Sequence, residues 1–177
     1  SPFVESEYFQ SMLSREVDGV IITGGEIDKE NISSGYLKSL NYLADQIPVV
    51  VLGQTIENCK GLFLNRNLGG GFSSLVHHLA ALGNKRIGFV GGETGIRQTT
   101  ARLVAYRDAL KSLGLEYNEE LIELSDYYHK DGYDAMKRLL DKDISKPDVV
   151  VAINDAVAIG AIRAINDAGM SCPQDIA

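Results

Sequence analysis

Short apolar runs alternate along the chain with segments in which apolar residues recur every three or four positions. Continuous apolar runs are typical of strands buried on both faces of a parallel sheet. Four runs are of this kind: Val17–Ile22, Pro48–Leu52, Arg86–Val90 and Asp148–Ile153. Two weaker strand candidates are Leu62–Leu64 and Leu121–Leu124.

Amphipathic helices are predicted between these strands. The three longest apolar faces are Phe72, Leu75, Val76, Leu79 and Leu82; Leu103, Tyr106, Ala109, Leu110 and Leu113; and Ala158, Ala161, Ile162 and Ile165. Gly83, Gly114 and Gly169 follow these faces, and a glycine in this position ends a helix. Two shorter faces are Tyr36, Leu40, Leu43 and Ala44, and Tyr133, Met136, Leu139 and Leu140. Strands that alternate with helices predict βαβ units and a doubly wound α/β fold.

Composition fits a globular chain, with 45% hydrophobic and 23% charged residues among 177. No apolar run approaches the ~18 residues that a membrane-spanning helix needs. A length of about 150 residues per domain allows one domain or two small lobes. We expect a lobe boundary near Asn65–Asn67, where the Leu62–Leu64 run leads into Gly69–Gly71 and a long helix.

Charge and cysteine content narrow the functional classes. The chain has 17 basic and 24 acidic residues, a net charge of −7, so by itself it is a poor ligand for nucleic-acid phosphates. Cys59 and Cys172 form neither a CxxC motif nor a His/Cys cluster, which excludes a zinc-site pattern. The beginning of the chain, Ser1–Phe3, has no basic or apolar region typical of a signal peptide.

Ligands of open parallel sheets bind beyond the carboxyl ends of the strands. This rule selects the loops after Ile22, Leu52, Val90, Leu124 and Ile153. The loop after Val90, Gly91–Gly95, fits neither GxGxxG nor GxxxxGK[ST], so we interpret it as a flexible turn rather than a phosphate loop.

Each candidate ligand-binding residue has a second, simpler interpretation. Arg97 and Arg102, near the start of the next helix, offer guanidinium donors for vicinal hydroxyls or a carboxylate, or are solvated surface residues. Tyr127, in the loop after Leu124, either stacks on a sugar or a base, or covers the sheet edge. Asn154 and Asp155 follow Ile153, where one either caps the next helix or binds a hydroxyl group.

No catalytic pattern is present in the sequence. There is no Ser-His-Asp order, HExxH, GxSxG or identifiable acid/base pair, so we predict that the protein is not an enzyme. A nicotinamide-dependent enzyme is disfavoured, because the glycine fingerprint is absent. His77 and His78 have no acid or cysteine at ligand spacing. We therefore predict neither a metal nor a cofactor.

Five segments, taken together in this order, resemble the LacI/GalR family of bacterial transcriptional regulators. Val17–Ile22 resembles the family's VDG strand, and His78–Gly92 its HLxxLGH[RK][RK]I strand entry. Arg102–Leu110 resembles the RxxG[FYW]xxAL helix, Ile153–Gly160 the NDxxAxG segment, and Cys172–Ile176 the VPxDI segment. The match is to the effector-binding core, and it extends over nearly all of the chain.

The resemblance implies two doubly wound parallel-sheet lobes of the periplasmic-binding-protein type, incomplete at both ends, spanning 1–65 and 66–177. It implies a cytoplasmic, homodimeric repressor that binds a sugar or sugar phosphate between its lobes. Operator DNA would be bound only through an N-terminal helix-turn-helix head outside this chain. The alternative is a ribose-type periplasmic sugar-binding protein that delivers ligand to a transporter.

The same resemblance assigns effector-binding roles. It implies that Arg102, Tyr127 and Asn154 contact the effector in one cleft, with Arg97 and Phe3 as weaker candidates. The chain departs from the family pattern at three positions, Gly53, Asn67 and Asn84. Of these, Gly53 replaces a frequent aspartate, and a glycine supplies no side-chain contact.

Overall fold

The chain forms two compact units, each with its own three-stranded parallel sheet. The computed structural model describes residues 2–144 and 146–177, with the side chains of residues 2–4 and 6 outside the description. Unit 1 is Ser1–Asn67 with Gly95–Arg97, and unit 2 is Leu68–Thr94 with Gln98–Ala177. The three residues Gly95–Arg97 therefore pack with unit 1, although their neighbours in sequence belong to unit 2.

Unit 1 is a small sheet covered by two helices. Its helices are α1 (Pro2–Ser14) and α2 (Ser34–Gln46), with a 3₁₀ turn at Gly25–Asp28, and its strands are β1 (Val20–Ile22), β2 (Val49–Val51) and β3 (Leu62–Phe63). The strand order is β1-β2-β3. Helix α2 begins after Ser33, whose hydroxyl accepts a hydrogen bond from Tyr36 N, as N-cap serines do.

One face of the unit 1 sheet is exposed at β1 and β3, which corrects the prediction that the run Val17–Ile22 is buried on both faces. Helices α1 and α2 pack on each other through Phe9 and Tyr36, whose ring centroids are 5.5 Å apart. The opposite face carries a row of paired residues formed by Ile21, Val50 and Leu62. Ile21 is 69% and Leu62 70% exposed, because both helices contribute to the core on the other face.

Unit 2 alternates strands and helices throughout, as predicted. Its helices are α3 (Leu68–Ala81), α4 (Arg97–Ser112), α5 (His129–Asp141) and α6 (Asp155–Asp167), and its strands are β4 (Ile87–Val90), β5 (Ile122–Glu123) and β6 (Val149–Ala152). A 3₁₀ turn spans Glu119–Leu121. The strand order β5-β4-β6 places β4 in the centre, and all four of its residues are buried.

The core of unit 2 is centred on three aromatic rings. Phe89 from β4 lies 5.3 Å from the ring of Phe72 and 5.7 Å from that of Tyr106, between centroids. Tyr106 is fully buried, and its hydroxyl donates a 2.6 Å hydrogen bond to the Ile87 carbonyl. Burial raises the pKa of this hydroxyl, so it stays protonated and keeps its role as a donor.

The predicted helix ends are confirmed. Gly83, Gly114 and Gly169 have φ angles of +97°, +67° and +77°, a region that glycine enters without steric cost. The residues that follow close the helix ends, as in the 3.1 Å hydrogen bond from Met170 N to the Ile165 carbonyl. None of the described helices is long and apolar enough to cross a membrane.

Helices α5 and α6 cross with their backbones in close contact at two glycines. A Cβ on Gly132 would overlap the backbone of Val157, and a Cβ on Gly160 would overlap the His129 carbonyl. Both glycines are buried. The crossing therefore depends on the absence of side chains at these two positions, and it fixes the start of α5 against α6.

Candidate functional site

The loops after the three strands of unit 2 meet at one edge of the sheet. Parallel strands end at the same edge, and two backbone hydrogen bonds extend the ladder there: Gly91 N to the Glu123 carbonyl at 2.8 Å, and Ile153 N to the Val90 carbonyl at 3.0 Å. An isolated bridge joins Gly92 to Ser125. The edge is therefore a hydrogen-bonded platform rather than three independent loops. Gly91–Gly92 is part of it, which differs from the flexible turn predicted for Gly91–Gly95.

Tyr127, in the loop after β5, is held through its hydroxyl. The Tyr127 Oη and Thr99 Oγ1 atoms are 2.8 Å apart. Thr99 belongs to α4 and is only 1% exposed, so the Tyr127 hydroxyl reaches a buried partner. The Tyr127 side chain is itself partly buried and packs against the unit 2 core.

Asn154 has two structural roles at the same edge. It is the N-cap of α6, where its Oδ1 accepts a 2.9 Å hydrogen bond from Val157 N. The simpler interpretation of Asn154, a helix cap, is therefore confirmed. Its Nδ2 also donates a 3.1 Å hydrogen bond to the main-chain carbonyl of Tyr127. An amide has two N–H donors and two acceptor lone pairs, so a ligand contact is compatible with both roles.

Arg102 lies on α4, three positions after Thr99 and therefore on the next turn of the same side of the helix. Its side chain is partly buried, and Nη1 donates a 3.4 Å hydrogen bond to the Gln98 carbonyl. The structure thus assigns Arg102, Tyr127 and Asn154 to unit 2, with Tyr127 and Asn154 in direct contact. That all three bind an effector stays a prediction.

Arg97 and Phe3 lie elsewhere. Arg97 packs with unit 1, where Nε donates to the Lys29 carbonyl at 2.9 Å and Nη1 to the Thr55 carbonyl at 3.3 Å. Both bonds lie within unit 1, where they join Arg97 to two loops. Phe3 is part of α1, and its side chain is outside the described part of the structure.

The corresponding edge of unit 1 is acidic. The loop after β1 passes through Gly24 and Gly25, both with positive φ, and the Glu5 carboxylate accepts hydrogen bonds from Glu26 N. Glu26 is 3% exposed. Burial raises the pKa of its carboxyl, but the ammonium of Lys29 at 2.8 Å and the backbone N–H of Ser33 outweigh burial and lower it. Glu26 is thus a structural carboxylate.

Thr99 is the residue at this edge that the sequence interpretation did not select. It is spaced four positions before Leu103 and seven before Tyr106, so it falls on the inward face of α4. In the sequence, the signal that could have identified Thr99 is a threonine on an otherwise apolar helix face, because a buried hydroxyl needs a hydrogen-bond partner. Among the described residues, no group of three or more His, Cys, Asp or Glu side chains is arranged to hold a metal ion.

The sequence profile of a protein family described as "periplasmic binding protein-like domain" matches residues 76–177. The chain belongs to this family. The profile covers α3 from Val76 onward and nearly all of the rest of unit 2, so it includes every strand end of the platform described above.

Similar proteins are bacterial regulators. Catabolite control protein A of Staphylococcus xylosus is 33% identical over 175 residues, 99% of this chain and 50% of the relative. The transcriptional repressor PurR of Mannheimia succiniciproducens is 29% identical over 169 residues, 95% of this chain and 48% of the relative. The chain thus spans about half the length of these two relatives.

A solved structure gives the same result at the level of the fold. The complex of the transcriptional regulator CelR with cellobiose superposes with a TM-score of 0.82 at 25% identity, over 98% of this chain and 52% of that one. The resemblance to the effector-binding core of LacI/GalR regulators and the predicted α/β fold with parallel sheets are confirmed. The chain corresponds to part of that core.

Proposed function

We propose that the chain is the effector-binding core of a LacI/GalR-type transcriptional regulator, and that a small sugar-like molecule binds at the carboxyl edge of the unit 2 sheet. The observation that carries the proposal is the meeting of Tyr127 and Asn154 at that edge through a 3.1 Å hydrogen bond. Arg102 belongs to the same unit and lies on the same side of α4 as Thr99, one turn later.

The chemistry of these side chains fits a polyhydroxyl ligand. An aromatic ring packs on the apolar face of a sugar, and an amide both donates to and accepts from hydroxyl groups. A guanidinium adds a planar set of donors suited to vicinal hydroxyls or to the oxygens of a phosphate. Similarity to a CelR structure that holds cellobiose supports the sugar class.

The proposed mechanism is linkage between effector and operator. The effector binds one conformation of the core more tightly and so increases its population. In a dimer, this changes how two DNA-binding heads meet two operator half-sites. The net charge of −7 is consistent with DNA contacts that lie outside this chain.

We further propose that the protein is a cytoplasmic homodimer, as LacI/GalR-type regulators are expected to be. The exposed side of α6 supports an association surface, because Ile159 is 56% and Ile162 42% exposed although Ile162 belongs to the predicted apolar face. Sedimentation velocity of the intact protein measures this directly. A monomer at micromolar concentration would contradict the dimer.

The ribose-type periplasmic binding protein is not favoured, because the curated relatives are named as regulators of transcription. Enzymatic function is not part of the proposal, since those relatives are regulators rather than enzymes.

The test is calorimetric titration of the intact protein with glucose, cellobiose, glucose 6-phosphate and inorganic phosphate. We expect saturable binding of at least one sugar or sugar phosphate, and a change in operator affinity when that ligand is present. Binding of inorganic phosphate alone would indicate an anion site instead. No binding by any of the four would contradict the sugar-like effector.

A further inference from the structure

Tyr127 is held at both of its ends by hydrogen bonds. Its hydroxyl pairs with Thr99 Oγ1 at 2.8 Å, and its main-chain carbonyl accepts from Asn154 Nδ2 at 3.1 Å. The two partners come from different elements, α4 and the residue before α6. A tyrosine fixed in this way offers a ligand its ring, because its hydroxyl is engaged with a side chain that is 1% exposed.

Thr99 is itself held in place by the loop after β4. Gly92 has a φ of +91°, and a Cβ at this position would lie 2.8 Å from Thr99 Cγ2 and 2.9 Å from Thr99 Oγ1. The backbone of Gly92 is therefore in close contact with the Thr99 side chain. A β-branched side chain in a helix has few χ1 rotamers, so this contact helps to fix the direction of the hydroxyl.

We propose that Thr99 is a positioning residue for effector binding: through its hydroxyl it fixes the position of the Tyr127 ring, so that the ligand meets the ring face. This inference rests on the proposed function, and it adds a residue that does not contact the ligand. It also sets a ligand class. A pyranose with an apolar face is favoured over a ligand that needs a hydrogen bond from the phenol.

The proposal predicts how two substitutions change ligand affinity. Thr99→Val keeps the shape of the side chain but removes the hydroxyl, and Tyr127→Phe keeps the ring but removes the other partner. Both delete the same hydrogen bond, so their effects on ligand affinity should not add. We expect each single variant, and the double variant, to bind about three- to tenfold more weakly, as the loss of one hydrogen bond predicts.

The experiment is a double-mutant cycle in the intact protein, with glucose and cellobiose as the probes in calorimetric titration. Thr99→Ser is the conservative variant and should restore wild-type affinity, whereas a merely structural role of the threonine methyl would leave it impaired. Thr100→Val is the matched control, because it makes the same substitution at the exposed neighbouring position. Ring-labelled tyrosine is observed by nuclear magnetic resonance in the ligand-free protein as an independent readout.

Support consists of weaker binding and faster Tyr127 ring flips in Thr99→Val, rescue by Thr99→Ser, and a non-additive cycle. Unchanged affinity in Thr99→Val, or fully additive losses in the double variant, would overturn the inference even if the ring becomes mobile. If the wild-type protein binds neither sugar, the sugar-like effector itself is wrong, and that result is distinguishable because it appears before any variant is compared.

Discussion

The Asn154 side chain and the Tyr127 main-chain carbonyl are joined by a 3.1 Å hydrogen bond that links the start of α6 to the loop after β5. The same amide caps α6 through its oxygen. Two interpretations that the sequence left open, a helix cap and a residue of the ligand site, are therefore not exclusive. Asn154 holds the helix with one atom and the candidate stacking residue with the other.

Replacing Asn154 separates these two roles. Asn154→Asp keeps the oxygen that accepts from Val157 N but loses the donor to Tyr127, whereas Asn154→Ala loses both. We expect Asn154→Ala to lower the free energy of unfolding by about 0.5–2 kcal/mol, the usual effect of removing a cap, and Asn154→Asp to lower it less. Both should weaken ligand binding. Urea denaturation and calorimetric titration measure the two quantities.

Equal stability losses in the Asp and Ala variants would show that capping is not the main structural role of this side chain. Wild-type ligand affinity in a folded Asn154→Asp variant would show that its bond to Tyr127 does not matter for binding.

Arg102 is expected to supply a charged hydrogen bond to the effector. Losing such a bond costs about 1.5–3 kcal/mol, so Arg102→Ala should weaken binding by roughly 10- to 100-fold. Arg107→Ala is the control on the same helix, since Arg107 is 54% exposed and bonds only its sequence neighbour Asp108 among the contacts described. Thermal unfolding should confirm that both variants fold. Unchanged ligand affinity in Arg102→Ala would show that Arg102 is a solvated surface residue and does not bind the effector.

The order of strands and helices was predictable because it follows from local pattern. The run of β4 is short and continuously apolar, and its four residues are buried, as a central parallel strand requires. Burial on both faces could not be predicted for β1. Its pattern is the same, but Ile21 is 69% exposed because burial depends on which helices pack on each face. That is a property of tertiary structure.

The candidate site was predictable only in part. Strand-end geometry selected the loops that carry Tyr127 and Asn154, and these loops do meet. Arg97 lies near Arg102 in sequence but belongs to unit 1, where it bonds two carbonyls, and closeness in sequence does not show to which unit a residue at the boundary belongs. Thr99 was missed because a hydrogen bond between residues 28 positions apart leaves no spacing rule in the sequence.

Binding of operator DNA is not expected from these 177 residues alone. The chain has a net charge of −7, and phosphate neutralisation supplies most of the affinity of DNA-binding proteins. A mobility-shift assay at low salt with the chain and with the intact protein is the measurement. Sequence-specific binding by residues 1–177 alone would contradict this prediction and place DNA contacts within the core.

Acid should destabilise the protein partly through Asp148. Its Oδ2 accepts hydrogen bonds from Arg86 N at 2.9 Å and Lys85 N at 2.8 Å, and these backbone donors hold the pKa of the carboxyl below its ordinary value. A lowered folded-state pKa contributes stability above the ordinary value near 3.9, and this is lost as pH falls through the folded pKa.

Urea midpoints at pH 7 and pH 3 test this contribution. Asp148→Asn should narrow the difference between the two midpoints, because the amide has no proton to gain in this range. An identical pH dependence in the variant and the wild-type protein would assign the acid sensitivity to other carboxyl groups.

A glycine-to-alanine substitution is expected to have opposite effects at Gly160, in the close crossing of α5 and α6, and at Gly71, on α3. Gly160→Ala would push a methyl group into the His129 carbonyl, and backbone cannot turn aside as a flexible side chain does. Overpacking costs about 1–3 kcal/mol, which corresponds to a fall of roughly 2–12 °C in Tm for a chain of this size.

Gly71 is also helical, but a Cβ there meets nothing within 4 Å. Gly71→Ala should therefore stabilise by about 0.4–1 kcal/mol, because alanine loses less backbone entropy on folding. Calorimetric unfolding decides the sign in each case, and a Gly160→Ala variant as stable as Gly71→Ala would mean that the two helices separate without cost. The same crossing holds the start of α5, which follows directly after the loop that carries Tyr127.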